Sequence, residues 1–417
     1  MPAALWHGRL HHRGPCDQHG SVGRGGSDQR NFVFSDWLYP GPYRRFSVIT
    51  AQRFGAGDYE GVKRSVATSA LLSLAATVLL TAAGILTARP LLEVMNTPAD
   101  IIEDSYAYII VIYYGVAATA FYNLLSCIIR ALGDSKTPLI FLVFASFLNV
   151  ALDLLFIITF HMGVGGAAWA TVLSQGVSGL LCLGYAWRRF PLLRMEKRHW
   201  TFDWSYAWKH LRLALPMAMQ FVITGTSVLV NQAVLNLFGS AASKIHMLSE
   251  QVAVSFGTAM ATYAGQNYGA GKAGRVREGL RKCALACEAI TLGIMVIMTA
   301  FGGVMSSWFI DGYHPEVIQQ AHLYLFISAL FYPALTMLFL YRNTLLGLGN
   351  GVTPMLAGVC ELLSRMIGAP VLGHFFGFTG LCWINPIAWV TASGLLFLSY
   401  RKTMPVSYTH LRAHETR

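Results

Sequence analysis

Charged side chains are scarce in this chain: Asp, Glu, Lys and Arg make up 12% of its 417 residues, against 54% hydrophobic. A soluble domain carries roughly twice that share of charge, about 25%, so the composition points to an integral membrane protein. Cysteines are few and scattered, at Cys16, Cys127, Cys182, Cys283, Cys287, Cys360 and Cys382, mostly within or at the ends of apolar runs, which excludes a disulfide framework. Cys283 and Cys287 share a helix face, but no neighbouring His or Cys pair completes a tetrahedral metal site, and packing explains them better. No glycine run ends in the Lys-Ser/Thr of a phosphate cradle, which argues against ATP as an energy source. No His-rich or nucleophile–base arrangement recurs at helical spacing, so the chain does not read as an enzyme. No short apolar core follows a basic start, so the first residues are not expected to be a signal peptide.

What the chain has is apolar runs near 20 residues, long enough to cross about 30 Å of hydrocarbon. Ten predicted spans lie near 66–88, 105–128, 138–160, 164–187, 211–238, 245–265, 283–305, 319–341, 353–376 and 379–400. The formal charge of +11 raises the question of nucleic-acid binding, and the placement of the charges answers it. Segment 188–212 holds seven bases against two acids and 271–282 five against one, while 89–104 holds one base against four acids. Basic connections on the cytoplasmic side satisfy all ten spans and put the C-terminus inside. The basicity is topological, and no nucleic-acid partner is expected.

The spans also repeat. Gln52-Arg53-Phe54-Gly55-Ala56-Gly57 returns 214 residues later as Gln266-Asn267-Tyr268-Gly269-Ala270-Gly271, and Gly163-Val164-Gly165-Gly166 returns as Gly377-Phe378-Thr379-Gly380. Leu132-Gly133-Asp134-Ser135-Lys136-Thr137-Pro138 matches Leu348-Gly349-Asn350-Gly351-Val352-Thr353-Pro354 at offset 216. Two halves inserted the same way up mark a parallel-repeat transporter with its substrate path between them. Gly55, Gly57, Gly269 and Gly271 directly follow apolar helices, and all four are expected to close helix ends through positive φ.

The repeat exposes an irregular front. Partners of the spans at 211–238 and 245–265 belong before residue 52, yet residues 7–30 are rich in His, Arg and Gly, and 31–45 hold Asp36, Pro40, Pro42, Arg44 and Arg45. The expectation is that the native frame begins near Phe46 and that residues 1–45 are frameshifted or misassembled. Residues 403–417 are likewise expected to leave the helical pattern as a non-native tail. Between them lie an N-terminal lobe, 46–200, and a C-terminal lobe, 201–402.

Ala51-Gln52-Arg53-Phe54-Gly55-Ala56-Gly57-Asp58, Arg130-Ala131-Leu132-Gly133-Asp134-Ser135-Lys136-Thr137-Pro138, Asn149-Val150-Ala151-Leu152-Asp153 and Gly265-Gln266-Asn267-Tyr268-Gly269-Ala270-Gly271, in this order, resemble the multidrug and toxic compound extrusion family over residues 46–402. The resemblance implies an all-α integral membrane fold of two parallel six-helix repeats and a secondary-active efflux antiporter exporting organic cations or drugs for H⁺ or Na⁺. It also implies a monomer in the inner or plasma membrane, with no cofactor beyond the coupling ion. A lipid-linked oligosaccharide flippase has related topology; it would need several Arg or Lys in its cavity, and the deep spans show chiefly Arg365.

Asp153 is the prime site candidate, because a carboxylate at membrane depth costs several kcal/mol unless protonated or holding a cation. Asn149, one turn earlier, shares its helix face and adds an amide suited to a proton or, if coupling is to Na⁺, to the metal ion. The resemblance implies that an Asn and an Asp at this spacing, with a Thr on the next helix, form the cation site of the N-terminal lobe. Thr171 stands at that place; the family's further Asp from a first helix has no counterpart in residues 1–45. The alternative is a helix-orienting role for Asp153 near the outer interface. Glu361 and Arg365, also one turn apart, read first as a self-neutralising ion pair and second as substrate or coupling contacts. Glu250 has no basic partner in its span and is a candidate contact in the C-terminal lobe. The absence of a carboxylate from 319–341, the tenth helix by resemblance, favours coupling through the N-terminal lobe. Tyr106, Tyr113, Tyr114, Phe121 and Tyr122, with Gln220, Asn231, Gln232 and Gln251, offer the aromatic and polar surface that planar cations need.

Overall fold

A computed structural model describes residues 41–94, 102–235, 241–307 and 315–415. The described residues form helices and no strands. That follows from the solvent: inside hydrocarbon each backbone N–H and C=O must be satisfied within its own segment, which an apolar helix does. In chain order the first half contains α1 (Gly41–Gly55), α2 (Tyr59–Val94), α3 (Ile102–Ala131), α4 (Lys136–Leu154, continued by a π-helical turn at Leu155–Thr159) and α5 (Gly163–Arg189). The second contains α6 (Trp204–Leu235), α7 (Ala241–Gly269), α8 (Ala273–Ser307), α9 (Pro315–Leu330), α10 (Tyr332–Gly347), α11 (Val352–Cys382) and α12 (Ile384–Glu415).

Among the described residues six helices are long and apolar enough to cross a membrane: Tyr59–Pro90, Ile102–Ala131, Lys136–Thr159, Gly163–Arg189, Ala273–Phe301 and Val352–Cys382. A seventh span arises if Ile318–Leu330 and Tyr332–Gly347, bent by 51°, count as one. Sequence predicts that span, 319–341, as a single run; Pro333 lacks an N–H and its ring crowds the preceding turn, so the chain kinks at Phe331. α1 begins at Gly41, inside the stretch expected to be foreign to the fold, while residues 1–40 lie outside the described ones. α12 stays helical through Glu415, so residues 403–415 do not break the helix as expected. The break predicted between 376 and 379 is a kink at Gly377, and the helix proper ends at Cys382.

The repeat is visible in the backbone. The glycines with positive φ fall into three pairs at the predicted offsets: Gly57 and Gly271 at 73° each, Gly133 and Gly349 at 99° and 90°, Gly163 and Gly377 at 61° and 57°. Four helix ends close in one pattern, with the glycine N–H returned three residues and the next N–H five. Gly133 bonds to the Arg130 carbonyl at 3.0 Å and Asp134 to that of Ile129 at 3.2 Å; Gly349 bonds to Leu346 at 2.8 Å and Asn350 to Leu345 at 2.9 Å. Gly55 and Gly269, expected to work the same way, are not at positive φ. They are glycines because another backbone passes close by, as described below.

The largest buried cluster lies in the second half, where Tyr324, Leu325, Tyr332, Leu338, Trp389 and Leu396 interlock across α9, α10 and α12. In the first half, α3 packs along α5, and α4 packs chiefly on α5. α6 covers α11 in the second half, and no described helix takes the same place on α4, whose Leu139, Ile140, Phe147 and Val150 are exposed.

Candidate functional site

Asp153 sits near the C-terminal end of α4, two residues before the π-helical turn. A π turn adds a residue to the helical circuit and re-aims the side chains beside it. α5 approaches closely there, since a methyl on Gly166 would lie 3.1 Å from Phe156 Cβ. Asn149 and Thr171 are brought together across α4 and α5: Asn149 Nδ2 donates to Thr171 Oγ1 at 3.5 Å, and that hydroxyl donates to the Ala167 carbonyl at 3.1 Å. One carboxylate oxygen of Asp153, Oδ1, is buried with no hydrogen-bond partner among the described residues. Gln175, one turn beyond Thr171, has a buried amide oxygen in the same condition. Sequence reasoning passed over Gln175, although its i,i+4 relation to Thr171 marks the same face of α5. The helix pair thus offers carboxylate, amide and hydroxyl oxygens without a resident counter-charge, a donor set suited to a proton or Na⁺. Among the described residues no three His, Cys, Asp or Glu side chains gather as a metal cluster, so any cation here would rest mainly on neutral oxygens.

The C-terminal lobe holds a different arrangement. The predicted self-contained pair of Glu361 and Arg365 proves incomplete, because Glu361 is held mainly by Arg342 from α10, through a short contact to Nη2, while Arg365 Nη2 stands 3.9 Å away. Arg365 Nε donates to Asn385 Oδ1 at 3.1 Å, and Asn385 Nδ2 donates to the Tyr324 hydroxyl at 3.0 Å. Arg342, Glu361 and Arg365 are 4%, 5% and 7% exposed, so this is a buried network tying α9, α10, α11 and α12 together. Arg342 escaped sequence reasoning because it stands one residue past the predicted span. Glu250, half-buried on α7, lies within electrostatic reach of Arg365, Glu361 and Arg342 and so does have basic neighbours, though from other helices. Glu288, a half-buried carboxylate inside the apolar run of α8, was also missed; a single acid in such a run is the signal that finds it.

Of the other predicted contacts, Gln220 is buried on α6 against Gly358, with its amide oxygen unpartnered among the described residues. Gln251 and Tyr114 are exposed. The remaining aromatics of α3 turn to packing: Tyr122 donates to the Pro138 carbonyl at 3.2 Å, Tyr113 fills the space over Gly84, Phe121 fills that over Gly179, and Arg89 lies over the Tyr106 ring. The side chains of Asn231 and Gln232 lie outside the described residues. A cleft of about 540 Å³ opens at the basic end, where Phe54 and Gly55 of the first half meet Tyr263, Gln266, Lys272 and Arg275 of the second.

Outside the membrane, Asp134 organises the start of α4. Its carboxylate accepts from the backbone of Lys136 and Thr137 at 3.0 and 3.1 Å, and from the hydroxyls of Thr137 and Tyr185 at 2.7 Å each. Burial pushes this carboxyl up, but the bonds from Tyr185 and Thr137 outweigh it and hold Asp134 below the usual carboxylate range.

Comparison with known proteins agrees with this architecture. The chain is 30% identical to "Probable multidrug resistance protein YpnP" of Bacillus subtilis (strain 168) over 84% of its own length and 78% of that protein's. It is 27% identical to "Probable multidrug resistance protein NorM" of Thermotoga maritima over 85% of its length and 79% of the relative's. The solved outward-facing structure of a multidrug resistance MATE family transporter superposes with a TM-score of 0.86 over 93% of this chain and 89% of that one; at 22% identity this likeness concerns the fold. The structure of a MATE protein in a bent conformation gives a TM-score of 0.83 at 20% identity, covering 94% of each chain. The family profile described as MatE matches residues 46–155 and 215–371, one block in each half, and with that match over most of the chain the protein belongs to the MatE family, whose members are transporters and not enzymes.

Proposed function

We propose that this protein is a multidrug efflux antiporter that exports organic cations in exchange for inward H⁺ or Na⁺, working as a monomer in the inner or plasma membrane with its C-terminus cytoplasmic. The observation that carries the reading is the buried, unpartnered Oδ1 of Asp153 beside the Asn149–Thr171 pair. An ionised carboxylate without a partner at membrane depth is expensive, so a proton or Na⁺ binds there strongly and neutralises it. Occupancy changes the charge between α4 and α5, which lets the coupling ion bias the N-terminal lobe between two packings and so release the drug. The names of the Bacillus and Thermotoga relatives support multidrug substrates. Tyr114 and Gln251, exposed on helices of opposite halves, support a substrate contact from each half, and Glu250, half-buried near Arg342, Glu361 and Arg365, is a further candidate contact in the second half.

A lipid-linked oligosaccharide flippase is the second reading. Arg342 and Arg365 both hold Glu361, so these deep cations are already engaged and do not form the free basic cavity a pyrophosphate needs. The test is Asp153→Asn in inverted membrane vesicles. Gradient-driven ethidium transport is expected to fall to the passive leak while the variant inserts and binds ethidium normally. Transport at the original rate would remove Asp153 from the mechanism. Flipping of a lipid-linked oligosaccharide by the unaltered protein, without ethidium transport, would establish the second reading instead.

A further inference from the structure

The two halves cross at the basic end, and the crossing is symmetric. Gln52 Nε2, on α1, donates to the Gly347 carbonyl at the end of α10 at 2.8 Å. Gln266 Nε2, on α7, donates to the Ala131 carbonyl at the end of α3 at 2.9 Å. Gln52 and Gln266 are 214 residues apart, and Ala131 and Gly347 are 216 apart, the offsets of the sequence repeat. Each half therefore reaches into the other with the same side chain and meets the same backbone position.

The acceptors are not arbitrary. In the last turn of a helix the carbonyls have no intrahelical N–H. The glycine closures of α3 and α10 satisfy Ile129 with Arg130, and Leu345 with Leu346, but leave the carbonyls of Ala131 and Gly347 out of the pattern. Each is capped by the glutamine of the opposite half. The glycines beside the glutamines make the approach possible: a Cβ on Gly55 would fall 1.9 Å from the Gln266 carbonyl oxygen, and a Cβ on Gly269 1.9 Å from that of Gln52. Both clashes are with backbone, so no side chain larger than hydrogen fits while the halves are crossed.

We infer that Gln52 and Gln266 form a two-fold latch that closes the basic face of the transporter, and that Gly55 and Gly269 are the bearing surface on which it closes. Opening to that face separates α1 from α7 and uncaps both carbonyls together, so the two bonds make and break as one event. The lateral cleft at Phe54, Gln266 and Arg275 brings water to the edge of the crossing, which gives the freed groups a solvent to turn to. The inference rests on reading the protein as a two-lobed rocking transporter, but its test needs no substrate.

A Cβ on Gly265 would lie 3.4 Å from that of Ala51, close to the roughly 3.8 Å of a disulfide. In a variant stripped of native cysteines, Ala51→Cys with Gly265→Cys is expected to cross-link within the chain under mild oxidation. The link should stop transport until it is reduced. Adding Gln52→Met and Gln266→Met, which keep the volume and remove both donors, should slow cross-linking roughly tenfold or more, as expected for two net hydrogen bonds. It should also raise maleimide labelling of Ala51→Cys from the basic face. Gln52→Glu with Gln266→Glu, similar in shape but without the donors, checks the result independently of packing. Cross-linking at an unchanged rate in folded methionine and glutamate variants, judged by their thermal transitions, would overturn the latch. So would failure of the cysteine pair to link at all. Loss of efflux in Asp153→Asn leaves these cross-linking rates in place, so the two readings fail separately.

Discussion

Arg342 shows most sharply how one residue controls a lobe. It and Glu361 are almost fully buried, and Glu361 is the shared ion-pair partner of Arg342 and Arg365. Removing one partner of a buried pair strands the other charge, which costs about 3–5 kcal/mol, whereas replacing both by apolar groups of similar volume is close to neutral. Glu361→Met leaves both arginines without their shared acid and should therefore destabilise the detergent-solubilised protein by about 3–5 kcal/mol, whereas Glu361→Met with Arg342→Met strands only Arg365 and should recover part of that loss; a thermal or denaturant transition reads both. If the single and double variants lose equal stability, the network holds no energetic coupling. Sequence shows two of the five members of this group. Glu361 and Arg365 are legible because they stand one turn apart on a single helix. Arg342, Asn385 and Tyr324 are not, because they come from three other helices and meet only through packing. The same holds in the N-terminal lobe, where Asn149 and Asp153 are read from spacing on α4, while Thr171 takes its place through family resemblance.

At the scale of elements, the glycine pairs divide into two physical kinds that sequence cannot separate. Gly57, Gly133, Gly271 and Gly349 are required by their own backbone angle, a local property that helix-end patterns reveal. Gly55 and Gly269 are required by a backbone more than 200 residues away, which no local pattern carries. The bend between α9 and α10 is intermediate: Pro333 signals it, and its counterpart α3, with Ala117 at the matching position, is one continuous helix. Asp134 and Asn350 are a further pair, each capping the helix that follows, the aspartate with hydroxyl and backbone donors and the asparagine with Thr353. They differ in pH response. Asp134 has a depressed carboxyl, so its contribution to stability is complete above the unfolded value near 3.8 and is lost as pH falls through the lower folded value. Asp134→Asn should cost about 1 kcal/mol at neutral pH, as for a weakened cap. It should also flatten the fall in stability below pH 4; an unchanged acid limb in the variant would show that Asp134 does not carry it.

For the whole molecule, the decisive property is that both halves present the same groups to the same side. Three motif pairs, the helix closures and the two inter-half glutamine bonds all obey one offset within two residues, which only a parallel duplication produces. Charge then supplies a testable expectation for orientation. The last turn of α5 and the connection after it carry Arg188, Arg189, Arg194, Lys197 and Arg198, while the turn between α4 and α5, at the far end of α5, carries no base beyond His161. α5 has 27 residues, about 40 Å of helix, enough to place these two connections on opposite sides of about 30 Å of hydrocarbon. In the proposed orientation the positive-inside rule predicts the basic one to be cytoplasmic, and with it the glutamine latch, since Arg53, Lys272 and Arg275 share that end. Met162 and Trp200 are both exposed and report the two sides directly. In a variant without native cysteines, a membrane-impermeant maleimide applied to intact cells should label Met162→Cys and spare Trp200→Cys, and the pattern should reverse in inverted vesicles. Labelling of Trp200→Cys from outside would turn the molecule over, and the latch would then close the external face.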